Sequence, residues 1–335
     1  MKKYLFICLF GVLFSCKTDK KETIRNQTTG GVFGTSYSII YLSQSPLDYQ
    51  QEIDSVFKVV NQSLSTYIPN SDISKINRGD TSVKVDHMFK DVFELSKKIY
   101  NKTDGYFDPT VGSLVNAWGF GPEKEIAMDS AKVDSLLRFV GFNKVSISDD
   151  ATVRKEDVRI YFDFNAIAKG YAIDRVAVLM DEKGIQNYLI EIGGELVAKG
   201  RNTIKGKPWA VGIDNPENEE ERELKLIINL EDRALASSGN YRKFRIDGET
   251  GEKYVHTIDP ITGYTKNSKT LGVTILASDC ATADGYATAF MAMDLEAAER
   301  IILSDSTLDA YIIYVDDQGG IQEFLTDGFK QVIAQ

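Results

Sequence analysis

Helical periodicity and strand composition are spread unevenly along this chain, and that unevenness limits the available folds more than any other feature. Apolar residues at helical spacing mark 48–64, where Ile53, Val56, Phe57, Val60 and Leu64 share a face, and further helices are predicted over 86–101, 130–140 and 168–183. Segments 32–42, 158–162 and 187–192 read as strands among them. Beyond residue 209 strands take over, at 209–213, 224–229, 241–246, 253–258 and 270–277. A helix over 280–293 follows, and then a closing hairpin, 307–315 with 321–324, around Asp317-Gln318-Gly319-Gly320. A doubly wound sheet needs strands and helices to alternate, so the predicted class is α+β. Two lobes are compatible with the length, although no linker-like break separates them.

The N-terminus is unlike the rest. Lys2 and Lys3 precede an apolar run from Tyr4 to Phe14 that is too short to cross a bilayer as a finished helix. A basic start, a short apolar core and a small residue before the cut describe a secretory signal peptide over 1–15. Leu13-Phe14-Ser15-Cys16 resembles the bacterial lipobox, in which the cysteine is lipidated and becomes the first residue. Residues 16–29 are polar and read as a tether from lipidated Cys16 to a domain over 30–335. Cleavage would also remove Cys8, leaving Cys280 without an internal disulfide partner. The expected location is therefore outside the cytoplasm, anchored to a bacterial membrane, with the domain facing the periplasm or the exterior.

A formal net charge of -10 argues against a nucleic-acid surface, which needs a clustered basic face. An anionic small ligand needs local help here, from a placed lysine or a divalent cation.

Five segments combine glycine, carboxylate, lysine and aromatic residues. In 103–121 turn glycines and Pro109 separate Tyr106, Phe107, Trp118 and Phe120. Asp163-Phe164-Asn165-Ala166-Ile167-Ala168-Lys169 places a lysine where a strand gives way to a helix, and helix starts bind phosphate. Glu191-Ile192-Gly193-Gly194-Glu195 reads as a glycine turn between strands. Ala236 to Arg242, followed by His256 to Gly263, carries one of the chain's 2 histidines; the other, His87, falls in the first turn of an exposed helix. In Asp279 to Ala289, Asp279 is placed to cap a helix. Asp284 and Thr288 are one helical turn apart and offer oxygens of the kind Mg2+ prefers to the same point. Taken singly, each segment also fits a structural turn, a solvated lysine or a dipole-stabilised acid.

Together and in this order they resemble the ApbE family of FAD:protein FMN transferases. The likeness runs from about Gly30 to the end, through Phe33-Gly34-Thr35, Leu64-Ser65-Thr66-Tyr67, DGYFDPTVGSLVNAWGFG, DFNAIAKGYAIDR, IEIGGEL, ALASSGNYR, HTIDPITG and DCATADGYATA. The resemblance implies a two-lobed, T-fold-related domain of mainly antiparallel sheets with flanking helices, with FAD in the cleft between lobes. It implies FAD contacts at Phe33, Tyr67, Asp108, Trp118, Asp163, Lys169 and Ile258. Mg2+ would be held by the backbone oxygen of Ala166 and the side chains of Asp284 and Thr288, and His256 matches a histidine that assists the reaction, with Asp284 as the competing base. Three places depart from the family pattern: Phe33 stands for a common methionine, Asn165-Ala166 for a glycine pair and Gly285-Tyr286 for Ala-Leu.

The implied activity is Mg2+-dependent transfer of FMN from FAD to a Thr or Ser hydroxyl of an acceptor redox protein bearing a D-x-x-[ST]-G-A-T type motif, releasing AMP. An FAD diphosphatase that uses water instead, or a non-catalytic flavin-binding lipoprotein, would carry much the same motifs.

Overall fold

The computed structural model describes residues 22–215, 223–240, 244–246, 253–266 and 268–334. The expected signal peptide, Cys16 and the first part of the tether lie outside the described residues, as do Tyr241 and Arg242. The first half of the chain supplies β1 (Ile24–Val32), β2 (Thr35–Ser43), α1 (Gln50–Leu64), α2 (Asp72–Asn77), α3 (His87–Lys102), α4 (Gly112–Ala117), α5 (Ser130–Leu137), β3 (Val145–Ile147), β4 (Val153–Lys155) and α6 (Ala168–Glu182). Next come β5 (Tyr188–Ile192), β6 (Glu195–Lys199), β7 (Trp209–Asp214), β8 (Leu224–Leu230), β9 (Arg233–Gly239), β10 (Phe244–Ile246) and β11 (Lys253–Val255). The chain closes with β12 (Thr270–Ala277), α7 (Cys280–Ala292), α8 (Leu295–Ser304), β13 (Asp309–Val315), β14 (Ile321–Leu325) and α9 (Asp327–Val332).

The described strands include an 8-stranded sheet in the order β1-β2-β5-β6-β9-β12-β13-β14. Every neighbouring pair in it is antiparallel. Both faces are covered, and the strand period sorts the core accordingly. On β9, Ala236 joins the apolar cluster around α7, whereas its neighbour Leu235 joins Trp209, Ile228 and Phe329 on the other face, beneath the β7–β8 hairpin and α9. The segments between α1 and α6 build a second lobe, which shares the α7 cluster through Phe89, Phe93 and Phe162 and adds a smaller one of Leu114, Trp118, Val133 and Val140 with Ile258. The predicted α+β class holds.

Four details differ from the sequence reading. The strand expected over 32–42 is broken at Phe33-Gly34, where φ values of 51° and 76° make a two-residue hairpin turn. A bulky aromatic at positive φ is not a turn signal, which is why the break is silent in the sequence. Residues 24–29, assigned to the tether, belong to β1; their polar side chains are used, Asn26 donating to Ser43 Oγ at 2.7 Å and accepting the Leu47 N–H at 2.9 Å. Segment 158–162 is no strand, because its backbone is satisfied piecemeal: Phe162 exchanges two hydrogen bonds with the Asn77 side chain, and Tyr161 O accepts from Gly112 N. The stretch from Ala236 to Gly239, to which no strand was assigned, belongs to β9, in the middle of the sheet.

Helix α7 explains that small-residue strand. Almost every residue from Cys280 to Ala292 is buried, and α7 packs against β9 and β12 as well as α6 and α3. The closest approach is at the helix starts. A Cβ on Gly170 of α6 would lie 2.5 Å from the Cys280 carbonyl oxygen, so only glycine fits. One turn further along α6, the Asp174 carboxylate accepts the Cys280 and Ala281 N–H groups, each at 2.8 Å, capping α7 from outside together with its own N-cap, Asp279. Burial pushes the Asp174 carboxyl up to about 7 against the pull of those two N–H groups. Gly170→Ala is expected to lower stability by about 1–3 kcal/mol through overpacking. Asp174→Ala, which orphans both N–H groups, is expected to cost about 3 kcal/mol, and Asp174→Asn less, in urea melts read by circular dichroism.

Candidate functional site

The same junction builds the site. Gly170 N–H is one of the unpaired donors in the first turn of α6, and it donates to Asp284 Oδ2 of α7 at 3.0 Å. The two helix starts therefore exchange carboxylates, Asp174 serving α7 and Asp284 serving α6. Since Ala166 and Lys169 lead into α6, and Thr288 is one turn beyond Asp284, the exchange brings all four residues onto one wall. That wall belongs to a cavity of about 930 Å³, within the usual range for a cofactor-sized ligand.

Charge on this wall is concentrated and buried. Lys169 Nζ is 2.6 Å from Glu195 Oε2, and Glu195 is only 6% exposed. Burial disfavours the Lys169 ammonium, but Glu195 and Asp284 outweigh it and hold its pKa above the ordinary lysine value. Burial drives the Asp284 carboxyl upward from the carboxylate range and Glu195 pushes it further, while Lys169 and the Gly170 N–H pull it back. Among the described residues no three His, Cys, Asp or Glu side chains cluster as a metal cage. The donor set on the wall, a carboxylate, a hydroxyl and a backbone carbonyl, suits a hard cation completed by water and ligand oxygens.

Away from the charged wall, aromatic and apolar residues share the lining with polar ones. Phe33, at the tip of the β1–β2 turn, meets Phe57 edge to face at 5.7 Å, and Tyr67 stands 55% exposed at the rim. Ile258 and Phe120 line the cavity as well. His256, half-buried just after β11, faces the same space. Asp163 lines it while accepting the Asn165 N–H at 2.7 Å, which shapes the turn into α6.

Two sequence candidates sit differently from the rest. Asp108 borders the cavity, but its Oδ1 accepts from Thr110 and its Oδ2 from Phe142 N, and burial raises its pKa; it ties the 108–112 turn to the segment that follows α5. Trp118 is not among the residues lining the cavity: it packs behind Ile258 and donates Nε1–H to Gly263 O at 2.9 Å. An indole with a buried N–H needs such a partner, and the 259–264 loop supplies it. Conversely, for the segment that holds Glu195 the sequence leaves a glycine turn and a ligand contact equally open. Its residue type and motif were visible, but the ion pair with Lys169 joins segments 26 positions apart in the chain, and no local pattern reveals it. Trp118→Phe is expected to lower stability by about 1–2 kcal/mol, the worth of the lost hydrogen bond, and to leave flavin affinity within about twofold when both are measured.

Comparison with known proteins identifies relatives of this chain. The ApbE family profile matches residues 33–312. A Haemophilus influenzae protein named FAD:protein FMN transferase is 34% identical over 350 residues, covering 99% of each chain. Its Vibrio cholerae namesake is 34% identical over 315 residues, covering 92% of each. Among solved structures, the flavin transferase ApbE from Vibrio cholerae superposes with a TM-score of 0.82 at 33% identity, over 93% of this chain and 100% of that one. The apo flavinyl transferase ApbE of Pseudomonas stutzeri gives 0.80 at 27% identity, over 92% and 97%. The matched span takes in the cavity wall from Phe33 to Thr288, and the chain belongs to the ApbE family.

Proposed function

We propose that this chain transfers FMN from FAD to a hydroxyl side chain of another protein, with AMP as the leaving group. The observation that carries the reading is the meeting of Ala166, Lys169, Asp284 and Thr288 on one wall of a cavity whose remaining surface is largely aromatic and apolar. A dinucleotide with a flat tricyclic ring and a central diphosphate has both halves of that character. The positive dipole end at the start of α6 favours the diphosphate, and Lys169 in its first turn adds a full charge.

The oxygen of an acceptor Thr or Ser attacks the phosphorus on the FMN side; the bond from that phosphorus to the bridging oxygen breaks, and AMP departs with the oxygen. The product is a phosphoester between FMN and the acceptor. The side chains of Asp284 and Thr288 and the Ala166 backbone oxygen would hold Mg2+, which supplies charge neutralisation and orientation to the diphosphate when bound. His256 is the side chain suited to take the hydroxyl proton near neutral pH. The acceptor class is a redox protein presenting a D-x-x-[ST]-G-A-T type motif, and Cys16 with its short polar tether would keep the domain near membrane-bound acceptors. Diphosphatase activity is the same displacement with water as nucleophile.

Incubation with FAD, Mg2+ and a domain bearing the acceptor motif is expected to yield a flavin-fluorescent protein band; release of FMN and AMP without a band would replace transfer by hydrolysis, and intact FAD would leave only binding. His256→Ala should lower the transfer rate by about 100-fold or more, the usual worth of a general base, with FAD affinity changed by less than about threefold. Asp284→Ala should abolish Mg2+-stimulated turnover, and full stimulation in that variant would remove the metal assignment.

A further inference from the structure

Glu195 costs this site something that the transfer chemistry alone does not explain. It is the first residue of β6, paired with Ile192 across the tight Gly193-Gly194 turn, whose φ values of 64° and 107° aim the next side chain inward. Glu195 sets a second acid beside Asp284, just where an anionic diphosphate has to settle. A buried ion pair is weak support for stability, because an apolar pair of similar volume commonly does as well. On Glu195's own face of β6 the next side chain, Val197, is apolar and packs against the core. A second acid retained here has to act on its partner.

That partner is a flexible residue. The Lys169 side chain is 28% exposed and has a four-carbon stem, so without a fixed contact its ammonium would sweep much of the cavity mouth. The 2.6 Å contact with Glu195 restricts it to the wall, on the side where Asp284 also acts on it. We propose that Glu195 is a positioning residue that holds the Lys169 ammonium in place for the phosphorus transfer step. Its carboxylate does not touch the reacting atoms. It opposes ground-state binding of the anion slightly and contributes by ordering the cation that the transition state needs, so its removal separates rate from affinity. This rests on the transferase reading, and the test includes a measurement independent of it.

Glu195→Gln, Lys169→Met and the double variant are compared with the unmodified chain. Reductive methylation of Lys169, followed by mass spectrometry without metal or flavin, reports whether the ammonium is held. Glu195→Gln is expected to speed it several-fold. The same variant should lose about tenfold in kcat while metal-free FAD affinity, from flavin fluorescence, stays equal or tightens. In the Lys169→Met background, Glu195→Gln should change kcat by less than about twofold, since the residue acts through the lysine. Unchanged methylation, a kcat within about twofold of the parent, parallel losses of kcat and affinity, or full additivity in the double variant would each overturn the proposal. Should Glu195→Gln not fold, Glu195→Asp keeps the charge but shortens the reach, and the same signs apply to it. Absence of FMN transfer by the unmodified chain would sink the transferase reading alone, and the methylation comparison would still decide whether Glu195 holds Lys169.

Discussion

Two helix starts lie side by side in this protein, and the positive ends of their dipoles would repel if nothing negative stood between them. Each helix supplies the remedy to the other: Asp174 of α6 accepts the first N–H groups of α7, and Asp284 of α7 accepts the Gly170 N–H of α6. The approach is possible only because residue 170 has no side chain. Both carboxylates are buried, and burial raises their pKa, so the fold sustains them by aiming backbone donors at them. The small residues of α7 and β9 follow from the same demand, since a helix enclosed on several sides leaves little room for bulk.

From that exchange the working geometry follows. Lys169 and Ala166 precede or begin one helix and Asp284 and Thr288 lie on the other, so two pairs of groups more than a hundred residues apart share one wall. The tips of the β1–β2 and β5–β6 hairpins and the loops of the second lobe close the rest of the cavity. A rigid sheet positions the turns, and the turns carry the contacts, as is usual where binding residues sit on loops held by a scaffold.

The motifs of such a chain mix residues that face the ligand space with residues that hold those residues in place, and the two kinds look alike in sequence. Asp108 and Trp118 stand within one dense motif, yet the first uses its carboxylate on Thr110 and Phe142 and the second packs behind Ile258. Glu195 is the reverse case, a residue of a segment that fits a turn or a ligand contact equally well and that lies on the charged wall. Local chemistry cannot separate these roles, because an aspartate that organises a turn and one that meets a ligand sit in similar glycine-rich surroundings.

Much of the architecture was legible from the chain alone. The uneven succession of helical and strand patterns specified an α+β fold, Asp279 was recognisable as a helix cap, and the four-residue spacing put Asp284 and Thr288 on one face. These are features of period and propensity, which act over a few residues and are written locally. Only the folded chain decided that Phe33 makes a turn, that residues 24–29 join the sheet, that 158–162 pairs with side chains and loops, and that Glu195 grips Lys169. The turn runs against the local preference of a bulky residue, and the others depend on partners farther along the chain, whose contact energy exists only once the groups are within reach.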